Sequence, residues 1–355
     1  MRILKEALES IKPAYEDKVV DSWKRLDSLT KPIASLGELE CIAAKMAGIT
    51  GNILNETEKK NIIIMCADNG VVEEGVSSCP QKLTHIVSNN FTRGITAVNA
   101  LSRVAKADLT VVDIGIVTDI DNPKIINKKF RYSTDNMVKG PAMSREDVIK
   151  AIEIGIEIVD KLVEEGVDIL GTGEMGIGNT TTSAAIISVL SGIDVELVTG
   201  KGAALTDNQF ENKKRVIKKA IEVNNPDKND VIDVMAKLGG LDIAGLCGCF
   251  IGAAKNRVPI LIDGIISSTA ALCAYKLHKD VKDFMFPSHL SAEPGAVYVM
   301  KELGLNPMLN LRFRCGEGTG CAVGFQIVDT ALYMMRTMGT FDDAGIVTDY
   351  LIEMR

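Results

Sequence analysis

The sequence has few of the residues on which several classes of protein depend. Aromatic residues make up only 5% of its 355 residues, too few to build the stacking surfaces that bind single-stranded nucleic acid. The 40 basic residues are outnumbered by 47 acidic ones, so the chain lacks the positive charge typical of nucleic-acid-binding proteins. We therefore expect no nucleic-acid partner, and we expect any bound phosphate to be held by a local site.

Long apolar runs and metal-binding clusters are missing as well. No window approaches the roughly 18 apolar residues that a membrane span requires, and the first residues contain no uninterrupted apolar stretch, so we expect a cytoplasmic protein. The 3 histidines are scattered along the chain, and Cys247 and Cys249 have no partner at zinc-like spacing. We expect no protein-bound metal, no cofactor and reduced cysteines.

From residue 61 onward, short apolar runs alternate with helical patterns. Runs in which the residues pointing to either face of a strand are all apolar are typical of strands covered on both faces. Helices between such runs indicate parallel crossover units. We predict strands at residues 62–66, 109–112, 167–170, 195–198 and 259–262, with a weaker one at 284–286. The clearest intervening helix is predicted over 145–165, opened by a capping box at Ser144–Asp147. The sequence predicts an α/β fold with an open, doubly wound, mostly parallel sheet.

Both ends of the chain carry helical patterns without strand signals. Two helices are predicted between residues 14 and 48, the second beginning at Ser35, where Ser35 and Glu38 have capping-box spacing. The segment from about residue 320 to the C-terminus is also predicted to be helical and to pack with them. We therefore expect a small helical domain formed by residues 1–60 together with 330–355, and an α/β domain over residues 61–329.

A glycine-rich segment follows the third predicted strand. Gly171 to Gly176 matches G-x-G-x-x-G in front of a helix, which is the dinucleotide fingerprint, so a nicotinamide-dependent oxidoreductase is one alternative. That fingerprint also needs an acidic residue at the end of the next strand, whereas Asp194 stands at the start of its predicted strand. The string from Gly173 to Thr181 is better suited to a single phosphate, because glycines and a capped helix N-terminus bring backbone amides to one anion. A glycine-rich turn without a ligand is the other alternative.

A second glycine-rich loop, near the C-terminus, carries one carboxylate. Glu317 stands between Gly316 and Gly318 in front of an apolar helix, and it is either a plain helix cap or a functional group. The helix dipole favours its ionised form. A carboxylate that faces a phosphate loop across one cleft can accept a proton from an incoming nucleophile. This combination predicts group transfer.

Several separated strings resemble the nicotinate-nucleotide:dimethylbenzimidazole phosphoribosyltransferase family over nearly the whole chain. They lie within residues 25–40, 67–77, 173–181, 263–272, 291–295 and 316–320. The resemblance implies transfer of the phosphoribosyl group from nicotinate mononucleotide to an aromatic base such as dimethylbenzimidazole, with inversion to an α-linked nucleotide. It also implies a Rossmann-like domain, a small helical domain built from both chain ends, and a homodimer with its sites near the interface.

The resemblance further implies roles for individual residues. Glu317 falls on the family's catalytic base, which takes the proton from the attacking ring. The positions that fall on the phosphate loop or beside the nucleotide are Glu174, Gly176, Ile177, Gly178, Asn179, Thr180, Lys213, Ser291 and Gly316. From the sequence, Lys213 could equally be a solvated charge on a helix, and Asp263 could only cap the helix that follows it.

Departures from the family pattern concern the acceptor base. The resemblance puts Ser78, Cys79, Ile86 and Cys315 around that base. The family commonly has an aromatic residue after the serine of this segment and a glutamine where this chain has Ile86, so we expect a softer, less polar pocket. Another benzimidazole, a purine or a phenol is therefore an alternative acceptor. Some relatives that glycosylate phenols work as pairs of unlike subunits, so a heterodimer, or a non-catalytic partner subunit, is a further alternative.

Overall fold

The structure is a computed structural model that describes residues 2–202, 204–349 and 352 of the chain. The described residues form one six-stranded sheet with the order β3-β2-β1-β4-β5-β6, and every pairing in it is parallel. The strands are β1 (Lys60–Ala67), β2 (Ala107–Gly115), β3 (Ile126–Asn127), β4 (Ile169–Met175), β5 (Ile260–Ile262) and β6 (Met285–Pro287). This is the strand order of a Rossmann-like sheet, and the predicted α/β fold class is confirmed.

The two central strands are buried along their whole length. All 8 residues of β1 and all 7 of β4 are buried, whichever face they point to, as strands between helical layers require. The runs predicted at 62–66, 109–112, 259–262 and 284–286 are strands. The run predicted at 167–170 begins as a strand only at Ile169 and continues to Met175.

The helices precede, separate and follow the strands along the chain, and five of them lie between β4 and β5. They are α1 (Arg2–Ser10), α2 (Glu16–Ser28), α3 (Glu38–Thr50), α4 (Leu83–Arg93), α5 (Ala97–Ala105), α6 (Arg145–Glu164), α7 (Asn179–Ser191), α8 (Val195–Val198), α9 (Asp207–Asn224), α10 (Val231–Leu238), α11 (Leu241–Lys255), α12 (Ile265–Leu277), α13 (Gly295–Leu303) and α14 (Thr319–Thr337), with short 3-10 helices at Gly70–Glu74 and Lys279–Phe284. Helices α11 and α12 pack together on the sheet, α6 packs outside α11, and α5 and α14 form a separate pair against other parts of the sheet.

Helix α6 begins as the sequence predicts. The Asp147 amide donates a hydrogen bond of 3.0 Å to Ser144 Oγ, and the Ser144 amide donates one of 3.1 Å to Asp147 Oδ2. The strand predicted at 195–198 is wrong, because these residues form α8. Asp194 caps this helix, its Oδ1 accepting a hydrogen bond of 2.8 Å from the Glu196 amide.

The N-terminal helices differ from the prediction in two places. Helix α1 was not predicted, and it packs against α6 and α11. The helix predicted from Ser35 begins at Glu38, and its N-cap is Gly37, which has a left-handed φ of 52°. The Leu36 amide donates to Glu40 Oε1 at 2.9 Å. The predicted capping box between Ser35 and Glu38 is therefore wrong.

The end of α14 packs with the N-terminal helices, as predicted. Leu26, Leu29, Ala43, Ala44 and Met335 form a small hydrophobic core separate from the main one. Helix α14 ends at Thr337, and the described residues beyond it contain no further helix, so the helix does not continue to the C-terminus. The division into two domains stays a prediction. None of the described helices has both the length and the apolar character needed to cross a membrane.

Candidate active site

A cavity of about 260 Å³ lies beyond the carboxyl ends of β4, β5 and β6. In Rossmann-like sheets, ligands bind at this edge, close to the point where the crossovers reverse direction, which here lies between β1 and β4. The predicted site residues that line the cavity are Cys79, Glu174, Gly176, Ile177, Asn179, Thr180, Ser291, Cys315, Gly316 and Glu317. The structure therefore brings the glycine-rich loop before α7 and the loop that carries Glu317 to one cavity.

Two predicted nucleotide residues lie behind the cavity wall. Gly178 has a left-handed φ of 96° at the start of α7, so it shapes the loop. Lys213 is completely buried, and its Nζ donates hydrogen bonds to Thr180 Oγ1 at 2.8 Å and to the Gly200 carbonyl at 3.0 Å. The alternative that Lys213 is a solvated helix charge is wrong.

Two residues predicted for the base pocket also lie outside the cavity lining. Ile86 is on α4 with 43% of its surface exposed, whereas Leu83 and Val87 of the same helix line the cavity. Ser78 directly precedes Cys79, which does line it. Successive residues of a helix point in different directions, so Leu83 and Val87 face the cavity while Ile86 of the same helix does not. A resemblance between sequences does not show these directions.

Glu317 lies in a left-handed loop. Gly316, Glu317 and Gly318 have φ values of 72°, 61° and 87°, and a glutamate in this region is uncommon. The loop is fixed by Asp263, whose Oδ2 accepts a hydrogen bond of 2.9 Å from the Gly318 amide and whose Oδ1 accepts one of 2.7 Å from the Gly320 amide. Asp263 therefore caps α14, whereas the sequence suggested a cap of the helix that follows Asp263.

Strand β4 allows the loop to come unusually close. The predicted glycine-rich loop is partly strand, since Gly171 and Gly173 lie inside β4. A Cβ atom at Gly173 would lie 2.8 Å from the carbonyl carbon and oxygen of Glu317 and 2.9 Å from the nitrogen of Gly318. Only glycine fits at this position without a shift of the backbone. The Glu317 amide also makes a long contact, 3.4 Å, with Glu174 Oε1.

Burial dominates the electrostatics of Glu317. It raises the pKa of the Glu317 carboxyl to about 7, and the nearby negative charge of Asp263 acts in the same direction. Burial and Asp263 therefore act against the helix dipole, which the sequence suggested would favour the ionised form of Glu317. The first amides of α14 point at Asp263 instead. A pKa close to neutral is suited to a general base, because the group is readily ionised and still holds a proton well.

Two further carboxyl groups lie together at this site: Glu174 lines the cavity, and Asp242 lies behind the lining. Asn179 Nδ2 donates hydrogen bonds to Glu174 Oε2 at 2.5 Å and to Asp242 Oδ2 at 3.0 Å. Burial, followed by the charge of Asp242, raises the pKa of Glu174 to about 8, and burial raises the pKa of Asp242 to about 6. The sequence reasoning missed Asp242. Its signal was an acidic residue at the start of the apolar helix α11, shortly after the pair Gly239 and Gly240.

The sequence reasoning also missed polar residues that follow β6. His289 lines the cavity and packs against Phe313 with 5.2 Å between ring centres. Glu293 lines it too, and its Oε1 accepts a hydrogen bond of 3.0 Å from the Gly202 amide. Their position after a strand of the sheet was the available signal. The apolar part of the lining comprises Leu83, Val87, Met175, Ile177, Ile265 and Ile266.

Comparisons with known proteins give one consistent result. A family model described as phosphoribosyltransferase (DBI_PRT) matches residues 11–346. The nicotinate-nucleotide–dimethylbenzimidazole phosphoribosyltransferase of Clostridium tetani is 57% identical over 356 residues, covering 100% of this chain and 98% of the relative. The protein of the same name from Acetivibrio thermocellus is 54% identical, covering 97% of this chain and 98% of the relative. A crystal structure of CobT from Thermus thermophilus is 32% identical with a TM-score of 0.89, covering 93% of this chain and 99% of the solved one.

Proposed function

The chain belongs to the nicotinate-nucleotide–dimethylbenzimidazole phosphoribosyltransferase family, and from this premise we propose how its cavity performs the transfer. The enzyme moves the 5-phosphoribosyl group from nicotinate mononucleotide to dimethylbenzimidazole and releases nicotinate. The names of the relatives support this acceptor rather than a purine or a phenol, and they support a transferase rather than a nicotinamide-dependent oxidoreductase. The observation that carries the proposed mechanism is that Glu317 and the N-terminus of α7 line one cavity.

We propose that the phosphate of the nucleotide binds at the N-terminus of α7, along Gly176 to Thr180. The positive end of the helix dipole favours an anion at this position, although the amides of Ile177 and Asn179 already donate to Thr84 Oγ1 and to the Gly176 carbonyl. Lys213 stabilises the N-terminus of α7, because its Nζ donates a hydrogen bond of 2.8 Å to Thr180 Oγ1. Burial lowers the pKa of Lys213 to about 8, so the side chain is still mostly protonated at neutral pH.

The acceptor base is proposed to lie against the apolar wall that α4 and α12 provide. Leu83, Val87, Ile265 and Ile266 line this side of the cavity, and a flat aromatic ring is stabilised by such a surface. A ring nitrogen attacks the anomeric carbon while the bond to nicotinate breaks. The electron pair of that bond goes to the pyridinium nitrogen, and the configuration inverts from β to α.

Glu317 is proposed as the general base of this step. It takes up the proton that the benzimidazole loses, so the acceptor finishes as a neutral α-linked nucleotide. The burial that raises its pKa to about 7 makes it a better proton acceptor than an exposed glutamate. Ser291 and Gly316 line the same cavity and are proposed to contact the nucleotide, with Cys79 and Cys315 on the side of the base.

The direct test is a product assay with the purified chain. Nicotinate mononucleotide is supplied with an equimolar mixture of dimethylbenzimidazole, adenine and a phenol, and products are separated and assigned by NMR. We expect nicotinate and the α-linked dimethylbenzimidazole nucleotide as the main products. A main product on adenine or the phenol, or a β-linked product, would contradict the proposal.

We also propose that the chain works as a homodimer. Exposed apolar side chains on neighbouring elements support this, since Ile86 of α4 and Val117 after β2 are 43% and 41% exposed, and His85 Nδ1 lies 2.8 Å from Thr118 Oγ1 between them. Light scattering of the purified chain is expected to give twice the chain mass. A monomer that gains activity only with a second, unlike chain would favour the heterodimer instead.

A further inference from the structure

The carboxyl groups of Glu174 and Asp242 are held by one amide. Asn179 Nδ2 lies 2.5 Å from Glu174 Oε2 and 3.0 Å from Asp242 Oδ2. Glu174 is only 7% exposed and Asp242 is completely buried. In the part of the chain that the structure describes, no lysine or arginine forms an ion pair with either group. Two acidic side chains thus lie side by side in the interior without a cation between them.

Keeping both of these buried carboxyl groups ionised would cost a large amount of free energy. Burial disfavours each negative charge, and the repulsion between them adds to this. A neutral amide offers each carboxylate a hydrogen bond but no compensating charge. The pair lowers its energy when one of the two groups carries a proton and the other stays ionised.

We propose that Asp242 is a positioning residue for the transfer reaction, because its negative charge, held beside Glu174 by Asn179, keeps a proton on Glu174 and so keeps Glu174 a neutral hydrogen-bond donor in the nucleotide cavity. The inference rests on the proposed function of that cavity. Glu174 lines the cavity, whereas Asp242 does not. Asp242 therefore acts only through its two neighbours.

The other charged and titratable groups around the pair act in the same direction. Asp263 adds negative charge near Glu174 from the end of β5, and Asp68 does so near Asp242 from the end of β1. The Glu174 carboxyl also faces the thiols of Cys66 and Cys315, which burial keeps protonated. Burial raises the pKa of both groups, to about 8 for Glu174 and about 6 for Asp242. Asp242 lies in the first turn of α11, and its Oδ1 accepts a hydrogen bond of 3.0 Å from the Ile243 amide, which favours its ionised form. The proton therefore belongs on Glu174.

A neutral Glu174 has a specific consequence for substrate binding. Its Oε2 accepts the hydrogen bond from Asn179, and the other oxygen, which makes only the long contact of 3.4 Å with the Glu317 amide, can carry the proton. A protonated carboxyl group at this position donates a hydrogen bond to an oxygen of the nucleotide. An ionised one would repel the phosphate and the Glu317 carboxylate.

The test compares the variants Glu174→Gln, Glu174→Ala and Asp242→Asn with wild type by the pH dependence of kcat/KM. Gln imitates a neutral, hydrogen-bond-donating carboxyl group, so we expect Glu174→Gln to stay within about tenfold of wild type at pH 7 and to lose the fall in activity on the alkaline side. Glu174→Ala is expected to lose about 100-fold or more in kcat/KM.

Asp242→Asn removes the neighbouring charge, so the fall in kcat/KM on the alkaline side should move to lower pH by about one unit or more. The matched control is Glu222→Gln, an exposed acid on α9 with 74% of its side chain accessible, which should leave the profile unchanged.

Two results would overturn the inference. One is a Glu174→Gln variant as impaired as Glu174→Ala, because this would mean that Glu174 must be ionised. The other is an Asp242→Asn variant whose profile coincides with that of wild type. If Asp242→Asn does not fold, Asp242→Ala takes its place in the comparison, since it also removes the neighbouring charge. Failure of the proposed function would appear separately, as a wild-type enzyme that makes no α-linked nucleotide.

Discussion

Replacing Gly173 by alanine should move the catalytic loop while leaving its side chains intact. The added Cβ would lie 2.8 Å from two backbone atoms of Glu317, and ordinary contacts begin at 3.4 Å. Backbone cannot rotate away as a flexible side chain does, so the loop must shift by about 0.6 Å, the difference between these distances. A misplacement of about 1 Å costs roughly 100-fold in rate. We therefore expect kcat to fall about tenfold or more.

The assay is steady-state kinetics at saturating nicotinate mononucleotide, with thermal unfolding measured in parallel. Overpacking of this size also costs about 1 to 3 kcal/mol of stability. The control is Gly140→Ala, since a Cβ at Gly140 has no neighbour within 4 Å. That variant should keep the wild-type kcat. A Gly173→Ala enzyme with unchanged kcat would refute the argument that close packing on β4 positions Glu317.

Three further predictions concern other parts of the chain. Lys213→Met should weaken binding of nicotinate mononucleotide by about 10- to 100-fold, because it removes the positive charge and the hydrogen bond to Thr180 Oγ1 behind the proposed phosphate site, and calorimetry would measure the dissociation constant. Activity should fall about tenfold per pH unit below pH 7, because Glu317, with its pKa raised to about 7, becomes protonated there; a pH profile flat from 5 to 7 would contradict this. Ser144→Ala removes the hydrogen bond to the Asp147 amide and should lower the free energy of unfolding by about 1 kcal/mol, measured in urea, with kcat unchanged.

The sheet could be predicted from short apolar runs, of which the run in β1 is the clearest. Residues 171–175 of β4 were not predicted as strand, because they are mostly glycine and polar residues. Two further differences between the prediction and the structure concern short elements. Strand β3 comprises only Ile126 and Asn127, too few residues to show any periodicity. The residues Val195–Val198 are equally compatible with a strand or a helical turn, and the choice is made by the side chain of Asp194, which caps the turn.

The candidate site was predictable where the resemblance to the family covers it, which includes Cys79 and Ser291 as well as the two glycine-rich loops. The loop before α7 and the loop around Glu317 are continuous strings, and both line the cavity. Asp242 accepts a hydrogen bond from Asn179, and His289 lines the cavity. Both belong to other elements of the chain, and no local sequence pattern predicts that they lie near this site. The raised pKa of Glu317 could not be predicted for the same reason, since the helix dipole is visible in the sequence but burial and the charge of Asp263 are not.

The most direct test of the account is the Glu317→Gln variant, with Glu222→Gln as control. Gln keeps the size and shape of the side chain but cannot accept the proton, so kcat should fall by about two to four powers of ten. The dissociation constant of nicotinate mononucleotide, measured by calorimetry, should change by less than about threefold, because the proposed phosphate site at α7 is untouched. A variant that keeps the wild-type kcat, or that loses nucleotide binding as severely as it loses turnover, would contradict the assignment of Glu317 as the general base.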